Sequence, residues 1–460
     1  MRKSRPTHAH APASHRALTA AARSRYEQGA AEHPTQRSDS TMAESAQPAR
    51  HRRVPDPSFG EFIALISFTM GLMSLSIDNL LPAFGAIQAS FGIADANEMQ
   101  LIISAYMIAF ALMQIVYGPL SDVIGRRPAM MIGLAVYGVG TVIAIVAPSF
   151  GVLLAGRAVQ GMGAAAIRVL VVAIVRDRYS GREMARVMSL IIMVFIVVPV
   201  FAPAIGSLFL WLGGWRLIFI SMLALAAIVA TGFALRMPET LHPEYRFPFS
   251  MRRILDGALQ TVTTRTSLGY ATAMALTMGI LFGYLNSSQQ IFQTEVYGLG
   301  PLFPLAFGAI AAVLGVASFL NSQLVRRLGM RRLSHFGICG FILVAALLLG
   351  SAVIFAGRPP LALFGPLLAA SLFLMSLMMV NFNAMAIEPL GAIAGTASSV
   401  IGVYTSLSGA LLGLLVGQAF DGTVIPLGAG FLLLGVIGLL VILWTERGRL
   451  FRPHSADPAE

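Results

Sequence analysis

The sequence contains very little cysteine and lysine. Cys339 is its only cysteine and Lys3 its only lysine in 460 residues. A single cysteine excludes a disulfide framework and a thiolate metal cluster. Because the only lysine lies in a polar leader, the chain also lacks the lysine that a glycine-rich loop places on a nucleotide phosphate. The chain therefore cannot use ATP by itself, and any active work must draw on an ion gradient or on another subunit.

Charge is scarce as well. Charged residues make up 12% of the chain and apolar residues 56%, and the mean hydropathy is +0.76. Globular proteins carry roughly 25% charged residues, so most of this chain cannot be surface solvated by water. A membrane-spanning helix needs roughly 20 apolar residues, which allows about twelve spans. The apolar runs are continuous, which excludes an outer-membrane barrel, because its strands alternate polar and apolar residues.

Twelve apolar runs follow one another in two groups of six, separated by a polar break. The runs cover about 62–84, 99–117, 129–147, 151–175, 187–211 and 217–235, and then about 268–287, 303–325, 334–356, 361–386, 397–419 and 425–444. This pattern predicts an all-α polytopic membrane protein with twelve transmembrane helices in two six-helix pseudo-repeats.

The same pattern predicts the domain boundaries. We expect six-helix bundles at 59–235 and 267–445, joined by a cytoplasmic linker at 236–266. The polar segments 1–58 and 446–460 are predicted to be cytoplasmic tails. The first of these is too polar to bury a core and is expected to be disordered, with Met42 as an alternative start of translation.

Arginine predicts the orientation. If the N-terminus lies inside, the inner loops hold fifteen arginines, whereas the outer loops hold only Arg216 and Arg358. Because positive loops stay in the cytoplasm, both termini are predicted to be cytoplasmic. This asymmetry also accounts for the net charge of +11 without a nucleic-acid partner. Arginine supplies all but one of the 32 basic residues, which is typical of a GC-rich bacterial genome and predicts the bacterial inner membrane.

The two groups of runs contain a repeat. The segment GPLSDVIGRR at 118–127 matches SQLVRRLGMR at 322–331, which aligns Gly125 with Gly329. Both segments lie in short basic loops on the predicted inner face. Parallel six-span repeats imply a pseudo-twofold axis along the membrane normal and a substrate site near the midplane between the halves.

Several motifs resemble those of one family. They are GPLSDVIGRRPAM (118–130), RAVQGMGAAA (157–166), SIDNLLPAF (76–84), VRDRY (175–179), PETL (238–241) and EPLGAIAGTASSVIG (388–402). Over roughly 60–445 the chain resembles the major facilitator superfamily, and within it the twelve-span drug:proton antiporters of the bicyclomycin and chloramphenicol resistance branch (Bcr/CflA). PVFAPAIG (199–206) resembles the span-5 antiporter motif more loosely, because Ala202-Pro203 replaces the usual Gly-Pro.

Two charged residues inside apolar runs are the predicted proton-coupling pair. Asp78 lies about six residues, or ~9 Å, from the outer end of the first run, and Arg157 lies at a similar depth in the fourth. Ionisable groups at such depth usually mark ion or proton routes. Matched depth predicts that the two side chains pair and that a proton on Asp78 releases Arg157. The alternatives are an Asp78 exposed to outside water and an Arg157 that only bonds backbone.

Polar residues within the spans are the candidates for the substrate cavity. Arg168 lies eleven residues after Arg157, which is three turns plus about 20°, so both share one helix face with Gln160. Arg168 could equally extend toward the membrane surface. The remaining candidates, each of which could instead bond a neighbouring helix, are Tyr106, Gln114, Tyr284, Asn381 and Asn383.

The first basic loop is predicted to act as a gate. Gly118 permits close packing and Gly125 a tight turn with positive φ. Asp122, Arg126 and Arg127 are then expected to exchange salt bridges between the halves, with Asp177 as a further partner. The alternative is that the two arginines only enforce topology.

The fifth run contains a predicted hinge. Pro199, Pro203 and Gly206 remove or weaken backbone hydrogen bonds, so a kink is expected there. Such a bend could seal the cavity against leak, and ordinary kinking without a transport role is the alternative.

The predicted function is proton-coupled export of small, largely apolar compounds by alternating access, carried out by a monomer. The predicted partners are a drug-like small molecule, protons and the lipid bilayer. The alternatives are a nutrient or metabolite carrier of the same fold and a membrane sensor that does not transport. An enzyme is not expected, because the sequence shows no clustered histidines, paired carboxylates or nucleophile motif. Neither a metal nor another cofactor is expected. The segment Gly161-x-Gly163-x-x-Ala166 imitates a dinucleotide fingerprint, but no predicted strand precedes it, as such a fingerprint requires.

Overall fold

The computed structural model describes residues 56–242, 244 and 251–451, so most of the predicted tails lies outside the described residues. Within the described part the chain forms fourteen α-helices. They are α1 (Phe59–Asp78), α2 (Phe84–Phe91), α3 (Leu101–Ile124), α4 (Arg126–Ile145), α5 (Phe150–Arg178), α6 (Gly181–Gly213), α7 (Trp215–Arg236), α8 (Met251–Thr263), α9 (Arg265–Gln289), α10 (Phe303–Leu328), α11 (Met330–Ile354), α12 (Leu361–Ile387), α13 (Ala394–Gln418) and α14 (Ile425–Thr445).

Most of the described helices are long enough to cross a membrane. Eleven spans meet this condition by length and composition, and α1 and α2 count together as one of them, Phe59–Phe91. The remaining predicted span corresponds to α6, whose segment Val197–Gly213 is a shorter apolar helix. The predicted all-α, multi-spanning fold is therefore confirmed, whereas the domain boundaries stay a prediction.

Local sequence signals set several helix ends. Ser58 and Glu61 form a capping box at the start of α1, in which Ser58 N donates to Glu61 Oε2 (2.9 Å) and Glu61 N to Ser58 Oγ (3.4 Å). The aligned glycines of the repeat have nearly the same backbone conformation, with φ +101° at Gly125 and +78° at Gly329. Each lies immediately before the next helix, so the repeat found in the sequence extends to the turn geometry.

The first span is interrupted in its middle. Helix α1 ends at Asp78, a 3₁₀ turn covers Leu81–Ala83 with Pro82 inside it, and α2 continues to Phe91. Asp78 thus lies about 13 residues, or ~20 Å, before the end of the span. This distance is longer than the six residues predicted from the apolar run, because the helical segment continues beyond Pro82 to Phe91.

Small residues allow the helices of the first half to pack closely. Gly140 and Gly163 lie where α4 meets α5, and Gly161 lies where α5 meets the backbone of Tyr106 in α3. A Cβ atom at Gly163 would overlap backbone atoms of Tyr137 and Gly133. Backbone-to-backbone contact of this kind is how helices gain packing energy in lipid, where no hydrophobic force drives their association.

Two helix pairs join the halves. Helix α3 packs against α13, and α6 packs against α10. Gly118 of α3 faces Ser399 of α13, and Gly308 of α10 faces the carbonyl of Val200 in α6. The faces away from these contacts expose large apolar side chains, as expected for lipid contact, with Trp211 81% and Ile354 79% exposed.

We expect Gly163→Ala to destabilise the protein by ~1–3 kcal/mol, because the added methyl group meets backbone that cannot move aside. Thermal unfolding of the purified protein in detergent measures the loss. Gly151→Ala in the same helix is the matched control, since a Cβ there meets nothing within 4 Å. Equal melting temperatures for Gly163→Ala and the wild type would contradict the packing argument.

Candidate functional site

Arg157 is the centre of the buried polar network. Its side chain is fully buried, and it donates from Nε to the carbonyl of Ile102 (3.2 Å) and from Nη2 to the carbonyl of Ser76 (2.9 Å). The third bond goes from Nη1 to Gln160 Oε1. The ring of Tyr106 covers the guanidinium at 4.5 Å. Arg157 thereby connects α5 to both α1 and α3.

The end of α1 explains why the Ser76 carbonyl accepts this bond. Leu80 N donates to Ile77 O (3.4 Å) instead of continuing the α-helical pattern to Ser76. A helix end leaves carbonyls without an intrahelical partner, and a buried one must find another donor. Arg157 supplies that donor.

Neutral side chains complete the network behind Arg157. Gln160 Nε2 donates to Thr141 Oγ1 (2.9 Å), and Ser76 Oγ shares a hydrogen bond with Tyr137 Oη (2.6 Å). All of these side chains are fully buried. Gln160 therefore has partners for both ends of its amide, and it is an interhelical linker in this structure.

Asp78 is buried without a cationic partner. It is 6% exposed, and it accepts a hydrogen bond from Ser74 Oγ at 3.4 Å. The predicted ion pair with Arg157 is not formed, because Arg157 donates to carbonyls and Gln160. Depth alone suggested that pair, and it did not account for the carbonyl freed by the end of α1. Tyr284 of α9 is an electrostatic neighbour of Asp78 from the other half, and its buried Oη has no partner among the described residues.

The predicted hinge residues lie in one continuous helix, because α6 runs through Pro199 and Pro203 from Gly181 to Gly213. Gly206 packs directly against the backbone of Asn79, next to Asp78. A role of this segment as a hinge stays a prediction, and the observed role of Gly206 is close approach of α6 to the break in the first span.

The remaining cavity candidates have different surroundings. Asn381 Nδ2 donates to Asn321 Oδ1 (2.9 Å) and to Leu377 O (2.9 Å), so it links α12 to α10. Asn383 lies on the exposed side of α12, away from Asn381. Asn381 is therefore an interhelical linker in this structure, whereas a place for Asn383 in the substrate cavity stays a prediction. Gln114 is 5% exposed, and its Nε2 has no partner among the described residues.

Arg168 is exposed although its helix face is buried. The residues on the same face of α5, which are Arg157, Gln160, Gly161, Ala164, Val171 and Val175, are all buried. Arg168 therefore reaches accessible space on the interior side of the helix.

A charged cluster forms where α3 ends and α4 begins. We call the side of the molecule on which it lies, where α5 also ends and α1 begins, the basic end. Arg126 donates from Nη1 to Asp122 Oδ1 (2.6 Å) and Ser121 Oγ (2.6 Å), and from Nε to Asp177 Oδ2 (3.0 Å). The predicted contact with Asp177 is thus present. All of these partners belong to the first half, so the exchange of salt bridges between the halves during gating stays a prediction.

Glu239 of the PETL segment completes the basic end. Its carboxylate accepts from the backbone N of Arg126 (2.8 Å), Arg127 (3.2 Å) and Leu241 (2.9 Å). A carboxylate is favoured at the first turn of α4 by the helix dipole. Gly125 is required there twice, because its φ is +101° and a Cβ would overlap the Glu239 carboxylate. The Arg127 side chain donates to the carbonyl of Ala234 (2.5 Å).

Four carboxamides join the halves at the opposite end. We call Asn97, Gln100, Gln290 and Gln418 the amide cluster. Gln290 Nε2 donates to Asn97 Oδ1 (2.7 Å), Gln100 Nε2 to Gln290 Oε1 (2.7 Å), and Gln418 Nε2 to the carbonyl of Asn97 (2.7 Å). Asn97 and Gln100 also donate to the carbonyls of Phe420 (2.9 Å) and Gly417 (3.0 Å). Gln290 Nε2 also donates to the Glu295 carboxylate (3.4 Å). The bonds that cross between the halves at this end therefore run between amides and backbone carbonyls.

No role for the amide cluster or for Glu239 was predicted from the sequence. The four amides lie at span ends, where polar residues are expected anyway, and their partners are up to 323 positions away. Glu239 belongs to the PETL motif, and that motif was the one signal in the sequence that pointed to it. In the described part of the chain, no group of three or more His, Cys, Asp and Glu residues is arranged to hold a metal.

Comparison with known proteins agrees with this architecture. The family model described as Major Facilitator Superfamily matches residues 66–413. A bicyclomycin resistance protein homolog of Haemophilus influenzae is 29% identical over 369 residues, which covers 78% of this chain and 90% of that protein. A chloramphenicol resistance protein of Pseudomonas aeruginosa is 29% identical over 348 residues, which covers 74% and 79%.

Solved structures share the fold. A D-xylose-proton symporter superposes with a TM-score of 0.65 at 14% identity, which covers 85% of this chain and 98% of that one. At this identity the likeness concerns the fold alone. The resemblance inferred from the motifs is confirmed, and with a family model that matches well over half of its length, the chain belongs to the Major Facilitator Superfamily of membrane transporters.

Proposed function

We propose that this transporter exports small, largely apolar, drug-like compounds in exchange for protons by alternating access. It acts as a monomer in the bacterial inner membrane, with both termini cytoplasmic. The observation that carries the proposal is Asp78, a carboxyl group buried in the first span with no cation beside it. The names of the two resistance proteins above support a drug-like substrate.

The surroundings of Asp78 suit a reversible proton site. A buried carboxylate without a cation is costly, and taking up a proton removes the charge. Ser74 Oγ offers a weak 3.4 Å bond, and the unpartnered Tyr284 Oη lies nearby on the other half. Proton uptake at Asp78 therefore removes a buried charge from the break in the first span.

Arg157 takes a different role from the one first predicted. It holds the Ser76 carbonyl, two residues before Asp78, and joins it to α3 and α5. Movement of the α1 end on protonation would pull on this bond. We therefore assign Arg157 to the transmission of the change, as a positioning residue and not as the ion-pair partner.

The amide cluster acts as the closed outer gate in this scheme. It joins Asn97 and Gln100 of the first half to Gln290 and Gln418 of the second. Release of substrate to the outside requires these bonds to break. Each is a neutral bond worth ~1 kcal/mol, so the gate is held by several weak bonds that can open in turn.

We expect Asp78→Asn to abolish proton-driven transport, because the amide cannot take up and release a proton. Inverted vesicles with an acidified lumen, supplied from outside with a panel of drug-like compounds, measure substrate accumulation in the lumen and proton efflux together. Exchange of labelled for unlabelled substrate without a gradient should persist, which shows that the variant is folded.

Glu183→Gln, at an exposed carboxylate of α6, is the matched control and should transport normally. Full proton-driven accumulation by Asp78→Asn would contradict the assignment of the proton site. Accumulation in the reverse direction by the wild type would instead indicate a nutrient symporter of the same fold.

We expect a cross-link between Asn97→Cys and Gln418→Cys to stop transport, because it locks the gate. The background is Cys339→Ser, which removes the only native cysteine. Transport should fall to the background level after oxidation and return after reduction. Each single-cysteine variant is a control, and oxidation should not change its transport. Unchanged transport by the cross-linked protein would contradict the gate.

A further inference from the structure

Arg168 is an interior cation without a partner. No hydrogen bond or ion pair joins it to another described residue, although it lies on the face of α5 that is otherwise buried. Charged side chains within spans usually face a cavity or a partner. Since Arg168 is accessible and unpaired, its guanidinium is available to water or to a ligand.

Gln114 provides a second free donor at the same level. Arg168 and Gln114 each lie about ten residues, or ~15 Å, from the basic-end terminus of their helices, α5 and α3. These helices pack against each other along their length. The Gln114 side chain is 5% exposed, and its Nε2 has no partner among the described residues. Its Oε1 lies next to Gly402 of α13, 3.3 Å from the position that a Cβ atom would take at that glycine.

The two donors differ in this respect from the buried polar groups that link helices. Arg157, Gln160 and Asn381 already bond neighbouring helices. Asp78 lies about 19 residues, or ~28 Å, along α1 from the basic end, so its charge is ~13 Å further from that end than Arg168. A ligand group at Arg168 is therefore separated from the proton site.

We propose that Arg168 and Gln114 form a subsite for a carboxylate or similar anionic group on an apolar substrate. A guanidinium carries only donors, and the free Nε2 of Gln114 adds amide N–H donors, which suits an oxyanion. This deepens the proposed export function by naming a substrate class, amphipathic organic anions, and by placing their anionic end toward the basic end.

The test compares 1-pyrenebutyrate with the neutral 1-pyrenebutanamide, which share one apolar body. Binding is measured by pyrene fluorescence to the full-length protein in nanodiscs of one lipid composition, so that partitioning into lipid is the same for each variant. The wild type should prefer the carboxylate. Arg168→Gln should lower its affinity by ~10-fold or more, the range of a charge-assisted hydrogen bond, and leave amide binding unchanged.

Three further variants make the result specific. Arg168→Lys keeps the charge and should retain most of the preference, whereas Gln114→Leu should lose part of it. Arg182→Gln, at an exposed arginine of the basic end, should behave as the wild type. Melting temperatures within the range of the wild type establish that each variant is folded.

A carboxylate preference that survives in Arg168→Gln, or that is missing from the wild type, would overturn the subsite. The outcome is independent of the proton-driven assay above. Proton-coupled export of neutral compounds with no Arg168-dependent preference would reject the subsite alone, whereas an Arg168-dependent preference without proton coupling would reject the export mechanism alone.

Discussion

The hydrogen bonds of the Arg157 guanidinium hold the interior of the first half together. A guanidinium cannot lose its proton in a protein, so once it is buried in a bilayer it needs acceptors for its fork of donors. The fold supplies these acceptors by ending α1 at Asp78, which frees the Ser76 carbonyl, and by placing Gln160 one turn away on the same helix. The break in the first span and the buried Arg157 therefore depend on each other, because the break frees the carbonyl that the guanidinium needs. Asp78 lies at this break, so its environment follows from the same constraint.

The two ends of the molecule are closed by different chemistry. At the basic end, Arg126, Asp122, Asp177 and Glu239 form charged contacts that organise the start of α4 within the first half. At the other end, neutral amides cross between the halves. Salt screens the exposed charges of the first end and hardly affects the second. The amides themselves do not change charge when the proton concentration changes, and the proton site proposed above, Asp78, lies away from them in the interior.

Much of the fold follows from the sequence, because span length, arginine position and the glycine turns are local properties. The twelve apolar runs, the positive φ at Gly125 and the equivalent turn at Gly329 could all be predicted in this way. The partners of the buried groups could not. Depth along a helix gives no information on which carbonyl a neighbouring helix leaves free, so Arg157 was paired with Asp78 instead of Ser76. The amide cluster joins residues about 200 to 320 positions apart, and only packing brings them together.

The contrast between Arg157 and Arg168 shows how the same residue on the same face acquires different roles. They are separated by three helical turns and face in nearly the same direction. Arg157 lies at the level where α1 ends and offers a free carbonyl, whereas Arg168 lies level with the middle of α1, where the helix is unbroken and its carbonyls are used within it. The backbone therefore satisfies one arginine and leaves the other open. An unsatisfied cation in an interior space is a cost to folding, and the anion subsite proposed above would give a physical reason for that cost.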